Sequence, residues 1–486
     1  MKLKYKNPIV QMLRFRKILL LGLGLMVGNI FAQTQLADLR GIFPLEETEE
    51  FKLSEENKSI VNSVALEGFF EKLQALEKGE NSKVHIIHIG DSHIQAGFFS
   101  GKNREILQDK FGNAGLGFIF PHRLANSNGI SEVRYASSVP WQSKRNIYAG
   151  IEDSVGISGF KLFTELKDFA VNIKVEEEKY FFNTLKLISP QRMMFSPAKN
   201  LKDIRLEDYS IQKKTHIIKS GEALSIIARK YGVTVNQIKQ ANRLQSNMIR
   251  AGDRLVIPVK AKTPAPIERS AFDIMEFDDF PEYSVLHAAQ PMQSIWLLSN
   301  DYPGSFSING LLLERDDPGI LYSGIGVNGA RFSDYNKTPL FFEQLKTLNP
   351  DLLVISLGTN EAHDHLKPEK FKEDLRKFVQ NLKENEIDAP VLFTSPPPSL
   401  LKRQFPNTYS ESYAHLLNEI AEEEQVAVWD LFEVLGGKNQ VRNNFSKGII
   451  SRDYVHYSKK GYVYSAELFT EAVLNAYYFY IYHKQF

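Results

Sequence analysis

The sequence predicts an α/β fold, a parallel sheet with helices on both faces, broken by a long β-rich insertion. Three observations predict it. Apolar, β-branched runs at residues 84–89, 352–355 and 391–393 each stop abruptly at small or turn-forming residues, as buried parallel strands do. Amphipathic stretches separate the later runs: Phe371, Leu375, Phe378, Val379 and Leu382 recur at helical spacing before the third. Between about residues 112 and 318 this alternation disappears and short runs rich in Phe, Tyr and Val take its place.

The bulk numbers fit this picture. A chain of 486 residues exceeds one ordinary domain, so two or three are expected. A net charge of +1 gives no electrostatic footprint for nucleic acid. There is no cysteine, which excludes disulfides, thiol catalysis, thiolate metal sites and a lipidated cysteine. Lys2, Lys4, Lys6, Arg14, Arg16 and Lys17 precede an apolar run at 18–27, and Ala32 follows at a plausible cleavage point. The expectation is a signal peptide over 1–32, an exported mature protein, and no stable membrane span after cleavage.

In chain order, residues 60–78 read as an amphipathic helix and 84–89 as the first strand. That strand ends in Gly90-Asp91-Ser92-His93, and helical stretches follow at 93–101 and 103–111. Strand-like runs at 160–166, 169–175 and 181–188 are matched by others at 284–289, 294–298 and 306–313. Together they suggest one β-sandwich, itself split by a further insertion. The α/β pattern resumes near 319 with a strand at 320–325 and a Gly-rich turn at 326–335. A helix opens at Thr338-Pro339, with Pro in the first turn. Strands at 352–356, 391–394 and 426–431 alternate with helices at 371–382, 410–424 and 461–480. Five parallel strands in the flavodoxin-like order 2-1-3-4-5 place Ser92, after strand one, and Asn360, after strand three, at the topological switch point where such sheets bind ligands.

Three short stretches carry the chemistry. Ser92 follows the first strand. Leu357-Gly-Thr-Asn360 follows the third. Asp453-Tyr-Val-His456 stands before the last helix. A nucleophile, a side-chain amide and an Asp/His pair in this order resemble the SGNH (GDSL-type) hydrolase superfamily. The resemblance implies a three-layer fold with Ser92 as nucleophile, His456 as base and Asp453 as its orienting carboxylate. The backbone N–H groups of Ser92 and Gly329 and the Asn360 amide would form the oxyanion hole, with Gly326 the rival to Gly329. It implies no cofactor. Glu361 stands where the family commonly has Asp, and Asp91 is read as holding the turn. His363, Asp364 and His365 are read as solvent-facing rather than as a metal site.

The interruption of the β-rich region has its own pattern. Residues 215–258 run strand, helix, helix, strand. Leu224, Ile227, Ala228 and Tyr231 share one helical face, Gly232 stops that helix, and Thr234 with Gln237 makes a capping box before the next. This segment is similar to a LysM domain over its full length. The resemblance implies binding of N-acetylglucosamine-containing glycans, usually peptidoglycan. The loops concerned are Gly221-Glu222-Ala223-Leu224 and Ser246-Asn247-Met248-Ile249, although Glu222-Ala223 stands where such modules commonly have Asp-Thr.

The expected organisation is a signal peptide (1–32), a first hydrolase segment (33–111), and a carbohydrate-binding-like β-sandwich in two parts (112–212 and 261–318, the latter including a linker). The sandwich encloses a LysM domain (213–260), and a second hydrolase segment closes the chain (319–486). This order resembles the peptidoglycan O-acetylesterase branch of the superfamily, and implies removal of O-acetyl groups from muramic acid. The same residues would serve an O-acetyltransferase or a deacetylase of another glycan. A wall-binding protein with a retired catalytic site is the reading from a different class.

Overall fold

The computed structural model describes residues 59–80, 82–148, 150 and 154–484. The signal peptide expected at 1–32 lies outside them.

The central sheet has six strands: β1 (Ile60–Val61), β2 (Lys83–Gly90), β3 (Gly319–Gly326), β4 (Leu352–Ser356), β5 (Val391–Thr394) and β6 (Ala427–Trp429). Their spatial order is β3-β2-β4-β5-β6-β1, with β2 to β6 parallel and β1 antiparallel on the edge. The five parallel strands therefore lie in the expected order 2-1-3-4-5. The edge strand was not expected. Residues 60–78, read as one helix, form β1, a 3₁₀ turn at Ser63–Leu66 and a helix over Glu67–Glu77. The left-handed backbone at Asn62 separates strand from turn, and its amide donates to Ala421 O and Val426 O.

Alternation along β2 sends its side chains into two different helical layers. Ile87 and Ile89 join the core that holds Phe332, Phe371 and Phe378. On the opposite face, His88 packs against Phe99 and Phe469, which belong to the helices Phe98–Phe111 and Lys459–Lys484. His88 is fully buried yet satisfied, through Nδ1 to Tyr322 OH (2.9 Å) and Nε2 to Ser356 Oγ (2.6 Å). Burial pushes its pKa down to about 3, so the ring is neutral.

The register fixes the end of the sheet. Gly90 lies level with Gly326 of β3 on one side and Ser356 of β4 on the other. The chain leaves all three strands at one height, which creates the crevice.

The named strands of the insert pair antiparallel. One five-stranded sheet has the order Phe272–Ile274, Phe195–Asn200, Ser294–Ser299, Ala170–Val175, Val133–Ser137. A second has the order Asp278–Asp279, Tyr283–Met292, Phe182–Ile188, Gly310–Glu314, Gly117–Ile119. Val171, Ile173 and Leu297 from the first and Leu185, Leu187 and Leu311 from the second share one core, which is continuous with that of the α/β layer. A third, three-stranded sheet joins Phe306–Ile308, Phe160–Thr164 and Gln142–Arg145. Residues 306–313, expected as one strand, thus form two strands in different sheets, divided at Asn309.

An antiparallel ribbon, Glu207–Ile217 with Arg254–Pro264, carries the helices Leu224–Tyr231 and Val235–Asn242. Gly232 adopts the left-handed cap and the Thr234–Gln237 capping box is made in both directions. Leu224, Ile227, Ile238, Leu255 and Ile257 form a small core of their own.

Candidate active site

Ser92 opens a short helix, Ser92–Gln95, directly after β2. Its N-cap is Asp91, whose buried carboxylate accepts from His93 N–H (2.9 Å) and from the Asn360 amide (3.2 Å). Burial raises the Asp91 pKa to about 6, opposed chiefly by the His93 N–H bond and by the nearby His456. Gly326, at the end of β3, lies under this turn. A Cβ there would meet the backbone at 2.3 Å (Gln95 N) and 2.7 Å (Asp91 O), so only glycine lets the strand approach so closely. Gly329, by contrast, is exposed and has φ +90°, a conformation that favours glycine. Gly326 is thus packed against the nucleophile turn, whereas Gly329 is open to solvent.

The Asp/His pair comes from the loop before the closing helix. Asp453 Oδ1 accepts the backbone N–H of Val455 and of His456 (both 3.0 Å), which leaves Oδ2 to face His456 Nδ1 at 2.8 Å. His456 Nε2 lies 2.9 Å from Ser92 Oγ. A continuous chain Ser92–His456–Asp453 thus forms across 364 residues of sequence separation. Partial burial opposes ionisation of Asp453. The hydrogen bonds from the His456 ring and the two backbone N–H groups outweigh it and hold the carboxyl below its ordinary range.

Asn360 stands on the helix Thr359–His363, which starts at the left-handed Gly358. Its amide donates to Ala330 O (2.9 Å) and to Asp91 Oδ2. A substrate oxygen here would compete with Ala330 O for an amide hydrogen. Among the described residues, neither the Ser92 nor the Gly329 backbone N–H is taken by a hydrogen bond.

Three residues around this centre were given no role from sequence. Glu361 is buried. Its Oε1 accepts the Phe332 N–H (2.9 Å) and ties the Gly329 loop to the Asn360 helix. Burial raises its pKa to about 8. His93 is buried behind His456, ring centroids 5.4 Å apart, with Nδ1 3.0 Å from Tyr462 OH. Burial lowers its pKa to about 3. Gln95 is buried and joins the Ser92 helix to Asn328. His93 and Glu361 each stand next to a motif residue, Ser92 and Asn360. The contacts of Glu361 and Gln95 are made with partners far away in sequence, Phe332 and Asn328. His363 also departs from expectation: it is half-buried rather than solvent-facing, whereas Asp364 and His365 are exposed.

The predicted glycan loops divide similarly. Asn247 and Met248 are exposed, and Gly221 and Ala223 lie at the surface. The Leu224 side chain is buried in the small core. Ile249 packs partly against the same core. The Glu222 carboxylate is committed to its own loop, accepting from Lys219 N–H (2.8 Å) and facing His216 Nε2 at 2.7 Å. That backbone bond leads the group of contacts that hold its pKa down.

Residues 307–464 match the GDSL-like Lipase/Acylhydrolase family, and residues 216–258 match the LysM domain. The chain carries a GDSL-type hydrolase domain and a LysM domain. Its fold is similar to that of a solved structure described as "Peptidoglycan O-acetylesterase in action". The TM-score is 0.58 at 19% identity, over 84% of this chain and 96% of that one. A lipase/acylhydrolase from Enterococcus faecalis aligns over 32% of this chain and 76% of its own (19% identity, TM-score 0.24). The psychrotrophic esterase EstA from Pseudoalteromonas sp. aligns over 32% and 77% (14% identity, TM-score 0.26). The hydrolase match includes Asn360, Asp453 and His456; Ser92 precedes it in sequence and joins them through the fold. Among the described residues no helix is long and apolar enough to cross a membrane.

Proposed function

We propose that this GDSL-type hydrolase is an exported serine esterase that removes O-acetyl groups from peptidoglycan, on muramic acid. The observation that carries the reading is the Ser92–His456–Asp453 hydrogen-bond chain at the switch point of the sheet. The similarity in fold to a peptidoglycan O-acetylesterase and the presence of a LysM domain support the choice of substrate.

A serine hydroxyl needs a positioned base to act as a nucleophile. His456 Nε2 takes the Ser92 proton as Oγ attacks the acetyl carbonyl, and Asp453 stabilises the imidazolium through Nδ1. The negative charge on the carbonyl oxygen meets the Ser92 and Gly329 N–H groups and the Asn360 amide. His456 returns the proton to the departing sugar oxygen, leaving acetyl-Ser92. Water, deprotonated by the same imidazole, then releases acetate.

The test is acetate release from O-acetylated peptidoglycan by the wild type and by Ser92→Ala. Release by the wild type, reduced roughly 10⁴-fold or more in the variant, is expected. Cleavage of small aryl acetates with the polymer untouched would keep the triad and overturn the substrate.

A further inference from the structure

We infer that the cleft between the insert and the Gly329 loop is a subsite for a sugar bearing a carboxylate, and that Arg145 reads that carboxylate. The inference rests on the proposed glycan-esterase reading and refines its substrate. The cleft is open to solvent on one side, has a volume of ≈ 480 Å³, and is lined by Asn126, Asn128, Lys144, Arg145, Tyr148 and Asn328 among others. That volume falls in the range of small-ligand sites.

Arg145 ends the strand Gln142–Arg145, and Tyr148 closes the 3₁₀ turn that follows. The guanidinium is held in place: Nη1 donates to Asn328 O (3.1 Å), Nη2 approaches Tyr148 OH (3.4 Å), and the group lies 5.1 Å from the centre of the Tyr148 ring. Among the described residues it makes no ion pair with a carboxylate. A planar guanidinium with donors to spare is suited to a bidentate carboxylate contact. Tyr148 is 68% exposed and offers an aromatic surface to the face of a sugar ring.

The cleft is tied to the nucleophile. Gln95, three residues after Ser92, accepts the Asn328 N–H (2.6 Å) and donates to Asn128 O (2.7 Å) and Ser127 Oγ (2.8 Å). The Asn328 amide donates to Asn128 Oδ1 (2.9 Å). Asn328 precedes Gly329, and Ile147 Cδ1 lies 3.5 Å from where a Gly329 Cβ would be. The Ser92 turn, the Gly329 loop and the cleft wall are therefore one hydrogen-bonded unit. A sugar whose ester reaches Ser92 past Gly329 meets Arg145 on the insert side. Within peptidoglycan, the lactyl ether of muramic acid supplies such an acid.

The experiment compares kcat/KM for acetate esters of N-acetylmuramic acid and of N-acetylglucosamine with the purified protein, Arg145→Gln and Arg145→Lys. A charged hydrogen-bonded pair corresponds to about a tenfold preference or more. The wild type should prefer the acidic ester by that factor, Arg145→Gln should abolish the preference, and Arg145→Lys should retain part of it. Equal handling of both esters by the wild type, or a preference that survives in Arg145→Gln, would overturn the subsite. Calorimetric binding of N-acetylmuramic acid is measured in parallel on Ser92→Ala and on Ser92→Ala combined with Arg145→Gln. Binding that is lost with Arg145 supports the subsite even if no glycan ester is cleaved, whereas equal binding overturns it.

Discussion

At the scale of single residues, catalysis would rest on groups whose geometry leaves few alternative uses. Asp453 spends one oxygen on two backbone N–H groups and keeps the other for His456, so a three-residue spacing is converted into a fixed imidazole. Asn360 is held from both sides, by Asp91 and by Ala330 O. If its amide turns to the developing oxyanion, Asn360→Ala loses about 3 kcal/mol of transition-state stabilisation. The expected result in steady-state kinetics is a fall in kcat of roughly a hundredfold or more with little change in KM. A loss confined to KM would contradict the role. Ser92, Asn360, Asp453 and His456 were legible because each stands in a short motif. Glu361 and Arg145 were not, because the first is defined by the Phe332 N–H and the second by Asn328 O, 183 residues away.

At the scale of elements, the ends of β2, β3 and β4 set the crevice. A methyl group on Gly326 would displace backbone atoms of the nucleophile turn. Gly326→Ala should lower stability by about 1–3 kcal/mol and reduce activity disproportionately. Calorimetry with kinetics checks this, and an unaltered turnover would sink the packing argument. Glu361 makes the link between the Gly329 loop and the Asn360 helix sensitive to pH. Its folded pKa, about 8, lies above its ordinary value of 4.5. Its contribution to stability is therefore complete below about pH 4.5 and is lost as pH rises through 8, with a limiting slope of about 1.4 kcal/mol per pH unit. Glu361→Gln cannot ionise, so its thermal stability should decline less than that of the wild type between pH 6 and 9. Parallel declines in the two proteins would refute the assignment. The parallel strands were legible from their apolar runs. The edge strand Ile60–Val61 was not, since two residues leave no period to read and the helix after them imposes its own.

At the scale of the whole molecule, the insert and the α/β layer share a core, whereas the LysM domain has a separate one on its ribbon. Damage to the small core should stay local. Ile238→Ala, at a fully buried position of that core, should cost about 2–5 kcal/mol of LysM stability. Pelleting with peptidoglycan should weaken while hydrolysis of aryl acetates persists. Equal loss of both would show that the two parts are coupled. The interruption of the α/β pattern was legible because periodicity changes at both of its borders. The split of 306–313 between two sheets was not, since a single apolar run carries no sign of which sheet it serves.

The central claim is that the acetyl group passes through Ser92. Rapid quenching of the purified protein mixed with O-acetylated peptidoglycan, followed by mass spectrometry of its peptides, tests this most directly. An acetyl adduct is expected on the peptide containing Ser92, absent from Ser92→Ala. Acetate release with no adduct at Ser92, or with the adduct on another residue, would contradict it.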